Sequence, residues 1–256
     1  MSDEHVVLVD VADGVMTVTL NRPKAKNAVN RALAEAIAAA MDELDGNDDI
    51  RVAVITGAGG SFCSGMDLKA FVTGELPSIK GRGFAGITER PPVKPLIAAV
   101  EGYALAGGLE LAISCDLIVA ADNSQFGIPE VKRGLAAAAG GLVKLPRQIP
   151  SRLAMELALT GDFISAQRAY EIGLINQIVP AGTALEAAQT LAAKISANGP
   201  MAVALSKQVI AQSSDWTADN MWDNQQEVVS PIFTSEDAIE GATAFAERRA
   251  PNWKGR

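Results

Sequence analysis

Apolar positions in the first sixty residues change period twice. Residues 6–11 and 15–20 are β-branched runs separated by Ala12-Asp13-Gly14, which predicts a β-hairpin. Leu33, Ile37, Ala40, Met41 and Leu44 then recur at helical spacing, so residues 28–44 read as an amphipathic helix stopping near Gly46-Asn47. Residues 52–56 return to an unbroken apolar run, the pattern of a strand buried on both faces, and lead into the loop Gly57-Ala-Gly-Gly60.

The alternation continues through a buried strand at 96–100, a glycine-containing turn with a short helix from about Gly107, and strands at 117–120 and 175–179. Ser151 and Ser165 are expected as N-caps, and Gly161 and Gly173 as helix stops. From about Thr183 the pattern is helical only. Asn198-Gly199-Pro200 separates two helices, and Ser235-Glu236-Asp237 opens the last one. Acidic residues in its first turn and Arg248-Arg249 in its last suit the helix dipole. Strands alternating with helices, then helices alone, predict an α/β body with a helical C-terminal appendage. Residues 74–90, with several glycines and mixed charge, are expected to be a mobile loop over a binding site.

Composition narrows the chemistry. A net charge of −8 without a basic cluster argues against a nucleic-acid partner. No apolar run approaches the roughly 20 residues that span a bilayer, so no membrane partner is expected. Residues 1–5 lack the basic-then-apolar order of an export signal, and Cys63 and Cys115 are isolated, so a reduced, cytoplasmic protein with two buried thiols is expected. His5 is the one histidine. Its terminal position leaves no imidazole for a Ser-His-Asp or Cys-His nucleophile, nor for a histidine-based zinc site, so no metal is expected. Proton transfer then falls to carboxylates, lysine, tyrosine or water.

Two carboxylates stand out. Glu110 closes the stretch Gly102-Tyr-Ala-Leu-Ala-Gly-Gly-Leu-Glu110, and Glu130 follows Phe126-Gly-Ile-Pro129. Each has a plain structural explanation: Glu110 suits a first helical turn, and Glu130 follows a proline at N1. Both nevertheless lie among apolar residues, where an unpaired carboxylate is costly, and site carboxylates are the better reading.

Three segments together resemble the crotonase (enoyl-CoA hydratase/isomerase) superfamily: Ser61-Phe-Cys-Ser-Gly-Met-Asp-Leu68, Ala98-Ala-Val-Glu-Gly-Tyr-Ala-Leu-Ala-Gly-Gly-Leu-Glu110 and Phe126-Gly-Ile-Pro-Glu-Val-Lys-Arg-Gly134. Asn21-Arg-Pro-Lys-Ala-Lys-Asn27, Leu159-Thr-Gly-Asp-Phe-Ile-Ser-Ala166 and Ala244-Phe-Ala-Glu-Arg-Arg249 are similar to further family segments in the same order. The resemblance implies a crotonase-type spiral of ββα units over residues 1–195. Residues 196–256 would be a helical region that serves oligomerisation and completes the active site.

It further implies an oxyanion hole made by the backbone N–H groups of Met66 and Gly107, with Glu110 and Glu130 as proton movers on a CoA thioester. Coenzyme A, as part of the substrate, would meet Lys24, Ala25, Lys26, Asp67, Leu68 and Lys69. Phe245 and Arg248 would touch it from the closing helix, often of a neighbouring subunit, and the Ala138 N–H would help hold a water. A homotrimer or dimer of trimers, without a prosthetic group, is implied.

Both glutamates present suits hydration of a 2-enoyl-CoA, since many isomerases of the superfamily keep only the later one. Ser235-Glu-Asp-Ala-Ile-Glu-Gly241 and Trp253-Lys-Gly-Arg256 resemble the carnitinyl-CoA dehydratase branch. The four alanines at 136–139, where many hydratases have proline and more glycine, leave the acyl group open. A CoA-thioester binder without turnover is the alternative of a different class.

Overall fold

A computed structural model describes residues 5–256. The reading of the N-terminal segment falls mostly on residues 1–4, which lie outside the described residues. β1 (Val7–Ala12) and β2 (Val15–Leu20) form the expected antiparallel hairpin, in register from Val7 opposite Leu20 to Ala12 opposite Val15. Asp13 and Gly14, at φ 51° and 75°, give the two left-handed residues of a tight hairpin turn. α1 (Arg31–Gly46) begins three residues later than its apolar pattern, because Asn30 is the cap and its side chain accepts the Leu33 N–H.

β3 (Val52–Gly57) returns parallel to β2. Next come α2 (Leu68–Val72), the small hairpin of β4 (Ser78–Ile79) and β5 (Gly83–Phe84), then β6 (Leu96–Val100), β7 (Tyr103–Leu105) and α3 (Gly107–Ala112). β8 (Leu117–Ala121) and β9 (Gln125–Gly127) precede α4 (Gly141–Gln148) and α5 (Ser151–Thr160). The α/β body closes with β10 (Ile164–Ser165), α6 (Ala166–Glu171) and β11 (Gln177–Val179). The main sheet runs β1-β2-β3-β6-β8-β11, parallel from β2 onward. After β6 and again after β8 the chain bends and re-pairs as β7 and β9, building a second sheet in the order β10-β9-β7. Gly102 makes the first bend at φ 59°, where a Cβ would sit 2.5 Å from Gly60 O. Successive β-β-α units therefore deliver their second strands and following turns to one place.

Side-chain alternation divides the main sheet between two helices. Ala53 and Ile55 of β3 and Leu96 and Ala98 of β6 share a core with Leu33, Ile37, Met41 and Leu44 of α1. Val52, Val54, Ile97 and Ala99 face the other way, onto Ala188 and Ala192 of α7 (Ala184–Ser196). Alanine on that helix face lets it lie close to the strands.

The remaining helices are α8 (Pro200–Ser213), α9 (Met221–Val229) and α10 (Glu236–Glu247). Lys207 of α8 donates to Pro92 O, Lys94 O and the Asp116 carboxylate. The tail folds back so that Trp253 Nε1 donates to Ala197 O at 2.8 Å, and buried Asp237 accepts from the Lys254 and Gly255 amides. Trp222, Phe233, Ile239 and Phe245 are left largely exposed.

Four local expectations are corrected. Ser151 is the first residue of α5 and caps nothing, since Pro150 occupies the cap position, whereas Ser165 and Ser235 accept the Arg168 and Ala238 amides as expected. Strand β11 is shorter than its apolar run, because Ile175 packs into the core outside the ladder. Arg248 and Arg249 follow α10 instead of ending it: Arg248 turns left-handed, and Arg249 folds back onto Glu240 and Glu247. The 74–90 stretch contains a hairpin anchored by buried Phe84, Ala85 and Ile87, because those side chains belong to the core.

Candidate active site

Two turns meet at one point. The first follows Cys63, where Val29 and Met66 form an isolated parallel bridge: Val29 N–H donates to Gly65 O at 2.8 Å, and Asp67 N–H to Val29 O at 2.9 Å. Asp67 then caps α2 by accepting the Lys69 and Ala70 amides. The second turn is Ala106, held at φ 52° and ψ −128° while its N–H donates to Gly127 O at 2.9 Å. Such a backbone costs a non-glycine residue about 1–3 kcal/mol. It starts α3 at Gly107.

Gly65, at φ 101°, joins the turns. A Cβ there would lie 2.8 Å from Ala106 Cβ and 3.1 Å from Gly107 N. Gly107 has no room for a side chain either, since a Cβ would meet the Phe84 ring at 2.5 Å. Among the described residues, neither the Met66 N–H nor the Gly107 N–H meets an acceptor. Two unspent donors on adjacent turns are suited to an oxygen that gains negative charge.

Both turns border a cavity of about 800 Å³, and Glu110 and Glu130 both line it. Glu110, in the first turn of α3, is 3% exposed, and its Oε1 accepts the Gly141 N–H at 2.8 Å. Burial pushes its carboxyl up to about 7; the Gly141 amide acts against that rise, and the nearby Glu130 carboxylate adds to it. Glu130 sits in the 3-10 turn Pro129–Arg133, half-buried, with Oε2 shielded from solvent and without a hydrogen-bond partner among the described residues. Burial raises its pKa as well, opposed by its own backbone amide and by Arg133. Two carboxyl groups with raised pKa values on one cavity are equipped for proton transfer, Glu110 near neutral pH.

The cavity also brings together Lys24, Ala25, Met66, Asp67, Leu68, Lys69, Gly107 and Ala138. Lys26 is absent from its wall, because its ammonium lies over the Tyr103 ring, 4.8 Å from the centroid. Phe245 and Arg248 do not line it within this chain, and Phe245 is 88% exposed on α10. The Ala138 N–H is not available to a water in this arrangement, since it donates to Ala136 O at 2.8 Å. The amide that reaches a site carboxylate comes instead from Gly141, which opens α4.

Burial holds the thiols of Cys63 and Cys115 neutral, Cys63 at about 12. No group of three or more His, Cys, Asp or Glu side chains suited to a metal occurs among the described residues. No helix among them is long and apolar enough to cross a membrane.

Residues 10–256 match the family model described as enoyl-CoA hydratase/isomerase. The chain belongs to that family, within the crotonase superfamily. It is 43% identical to the enoyl-CoA hydratase EchA19 of Mycobacterium tuberculosis, over 97% of this chain and 96% of that protein. It is 38% identical to the carnitinyl-CoA dehydratase of Proteus mirabilis, over 94% and 95% of the two chains. A solved enoyl-CoA hydratase structure from Mycobacterium tuberculosis superposes with a TM-score of 0.97 at 60% identity, covering 99% of this chain and 100% of that one. The fold is thus that of the crotonase enzymes.

This enoyl-CoA hydratase/isomerase site also holds residues beyond those expected from the sequence. Arg22 lines the cavity and pairs with Asp67 at 2.9 Å, bracing the loop after Met66. Glu89 and Arg133 add charge to the wall, and Phe84 and Phe163 add apolar surface. Arg22 lies within a family-like segment and was open to notice there. Phe84 and Glu89 come from the 74–90 stretch, whose glycines conceal an anchored hairpin.

Proposed function

We propose that this chain catalyses the reversible hydration of a 2-enoyl-CoA thioester to a 3-hydroxyacyl-CoA. The observation that carries the reading is that Glu110 and Glu130 line one cavity with the two unspent amides of Met66 and Gly107. The thioester oxygen accepts from both amides. Water held at Glu110 attacks the β-carbon and gives its proton to that carboxylate. Electron density moves through the α-carbon to the thioester oxygen, and Glu130, protonated, delivers its proton to the α-carbon. Reversal exchanges the two roles. Losing one oxyanion donor typically costs about 3–4 kcal/mol of barrier, so the paired amides supply a large share of the rate.

Every step uses carboxyl groups and amides of the chain, without metal or prosthetic group. Coenzyme A enters as the carrier of the acyl group, with Lys24, Ala25, Asp67, Leu68 and Lys69 along its path and Arg22 beside them. Phe245 and Arg248 reach it from a neighbouring subunit. The exposed apolar side chains of α9 and α10 are the corresponding subunit surface, in a trimer or dimer of trimers. A monomer by light scattering would contradict that assembly.

A second reading is favoured by Glu89 and Arg133 on the cavity wall and by the likeness to a carnitinyl-CoA dehydratase. The same machinery then runs towards dehydration of a polar 3-hydroxyacyl-CoA. A panel of acyl-CoA thioesters of graded length and polarity, with product identification, separates the two. Turnover of crotonyl-CoA, seen as loss of enoyl-thioester absorbance, supports hydration of a simple enoyl chain. Tight binding of the whole panel with no absorbance change would leave a thioester binder instead.

A further inference from the structure

One side chain fastens the start of α4 to the site. Lys144 Nζ donates to Thr88 O and to Ser114 Oγ, each at 2.7 Å, and Ser114 Oγ donates in turn to Glu110 O at 2.7 Å. The lysine stem lies along Gly140, where a Cβ would meet its Cδ and Cε at 3.4 Å. Three residues earlier, the Gly141 N–H holds Glu110 Oε1. Lys144 is partly buried, yet among the described residues it makes no salt bridge. Withdrawing an ammonium from water without an ion-pair partner is costly, and its two acceptors are both neutral.

We propose that Lys144 is a positioning residue for Glu110: it clamps the first turn of α4 so that the Gly141 amide stays on the carboxylate. The inference rests on the assignment of Glu110 as the water-activating base. The groups around Glu110 divide by element. Burial, the largest influence, and Glu130, from the turn after β9, favour the protonated carboxyl, while the Gly141 and Ala139 amides and Lys144 favour the ionised one. Burial draws the Lys144 pKa below the usual lysine value, and Cys115 and Glu110 act in the opposite direction. The Cys115 thiol stays protonated, with Asp116 and Lys207 beyond it. Lys144 is thus the cation among the groups that oppose burial and Glu130 at Glu110.

The test compares Lys144→Met with Lys144→Arg, following the Glu110 carboxyl by 13C NMR titration, with Glu110→Gln to identify its resonance. Lys144→Met should move the Glu110 titration to higher pH, and Lys144→Arg should return it towards wild type. In turnover, Lys144→Met should lower kcat roughly tenfold and shift the acidic limb of the pH profile upward. KM should stay within about twofold, because the clamp does not touch the substrate. A folded Lys144→Met enzyme with an unchanged Glu110 titration overturns the inference, even where its melting temperature falls, since a purely structural staple has that signature. Where Lys144→Met does not fold, Lys144→Gln provides the same comparison. The titration needs no substrate, so wild-type failure on every enoyl-CoA would count against hydration and not against the clamp.

Discussion

Glu110 and Glu130 share a cavity but not a manner of being held. Glu110 is enclosed by helix α3, is almost fully buried and is fixed by the Gly141 amide. Glu130 stands on a short 3-10 turn after a proline, with one shielded oxygen that no donor among the described residues satisfies. The first arrangement preserves a geometry, as an activated water requires. The second leaves a carboxyl free to carry a proton over a short distance. The contrast in anchoring, though not in burial, matches the division of labour proposed for hydration.

The strongest way to break the comparison is to neutralise each carboxyl in turn. Glu110→Gln and Glu130→Gln should each reduce hydratase kcat by about 10²–10⁴ while leaving thioester affinity nearly unchanged, as measured by steady-state kinetics and calorimetry. Full activity in either variant removes that residue from the mechanism. The amide pair should come next. Gly107→Ala should cost about 10²–10³ in kcat, because its Cβ collides with Phe84 and displaces the donor. The double variant Gly107→Ala/Phe84→Ala relieves the collision and should recover part of the rate, while the lost core packing of Phe84 lowers stability. No recovery would mean that the turn itself, rather than the collision, sets the cost.

Stability against pH sharpens the contrast further. The Glu110 pKa is raised on folding, so its ionisation works against the folded state. The penalty is absent below the unfolded value of 4.5, grows as pH rises towards 7, and stays constant above it. The rise from 4.5 to about 7 corresponds to about 3 kcal/mol as an upper figure. Glu110→Gln, which keeps an oxygen for the Gly141 amide, should therefore raise the melting temperature at pH 8 by several degrees more than at pH 5. Glu130→Gln should show the same sign with a smaller difference, since that residue is less buried. Equal curves for the two variants would erase the distinction in burial. The smallest effect concerns the lysines: Lys24→Ala should weaken CoA-thioester binding a few-fold, and Lys26→Ala should change it less, because Lys26 is spent on Tyr103. The reverse order would return Lys26 to the site.

Much of the fold was legible because its signals are local. The Asp13-Gly14 turn, the helical period of α1 and the apolar runs of β3 and β6 each need only neighbouring residues to be read. The two glutamates and the glycine turns were legible for a related reason, since a carboxylate among apolar residues is anomalous on its face. Where the reading failed, a local signal competed with a distant one. Ser151 has the chemistry of a cap, but Pro150 holds that position. The glycines of 74–90 suggested looseness, while Phe84 is drawn into the core by residues far away in sequence.

By itself, then, the sequence determined the α/β alternation, the absence of a catalytic histidine within the body, the two carboxylates and the two turns. Only the tertiary structure decided that these reach one cavity, that Ala138 spends its amide on Ala136 while Gly141 spends its own on Glu110, and that Lys144 stands behind them. The physical reason is range. Period and turn chemistry act over a few residues, whereas burial, hydrogen-bond partnership and the charge on a carboxyl depend on segments that only folding brings together.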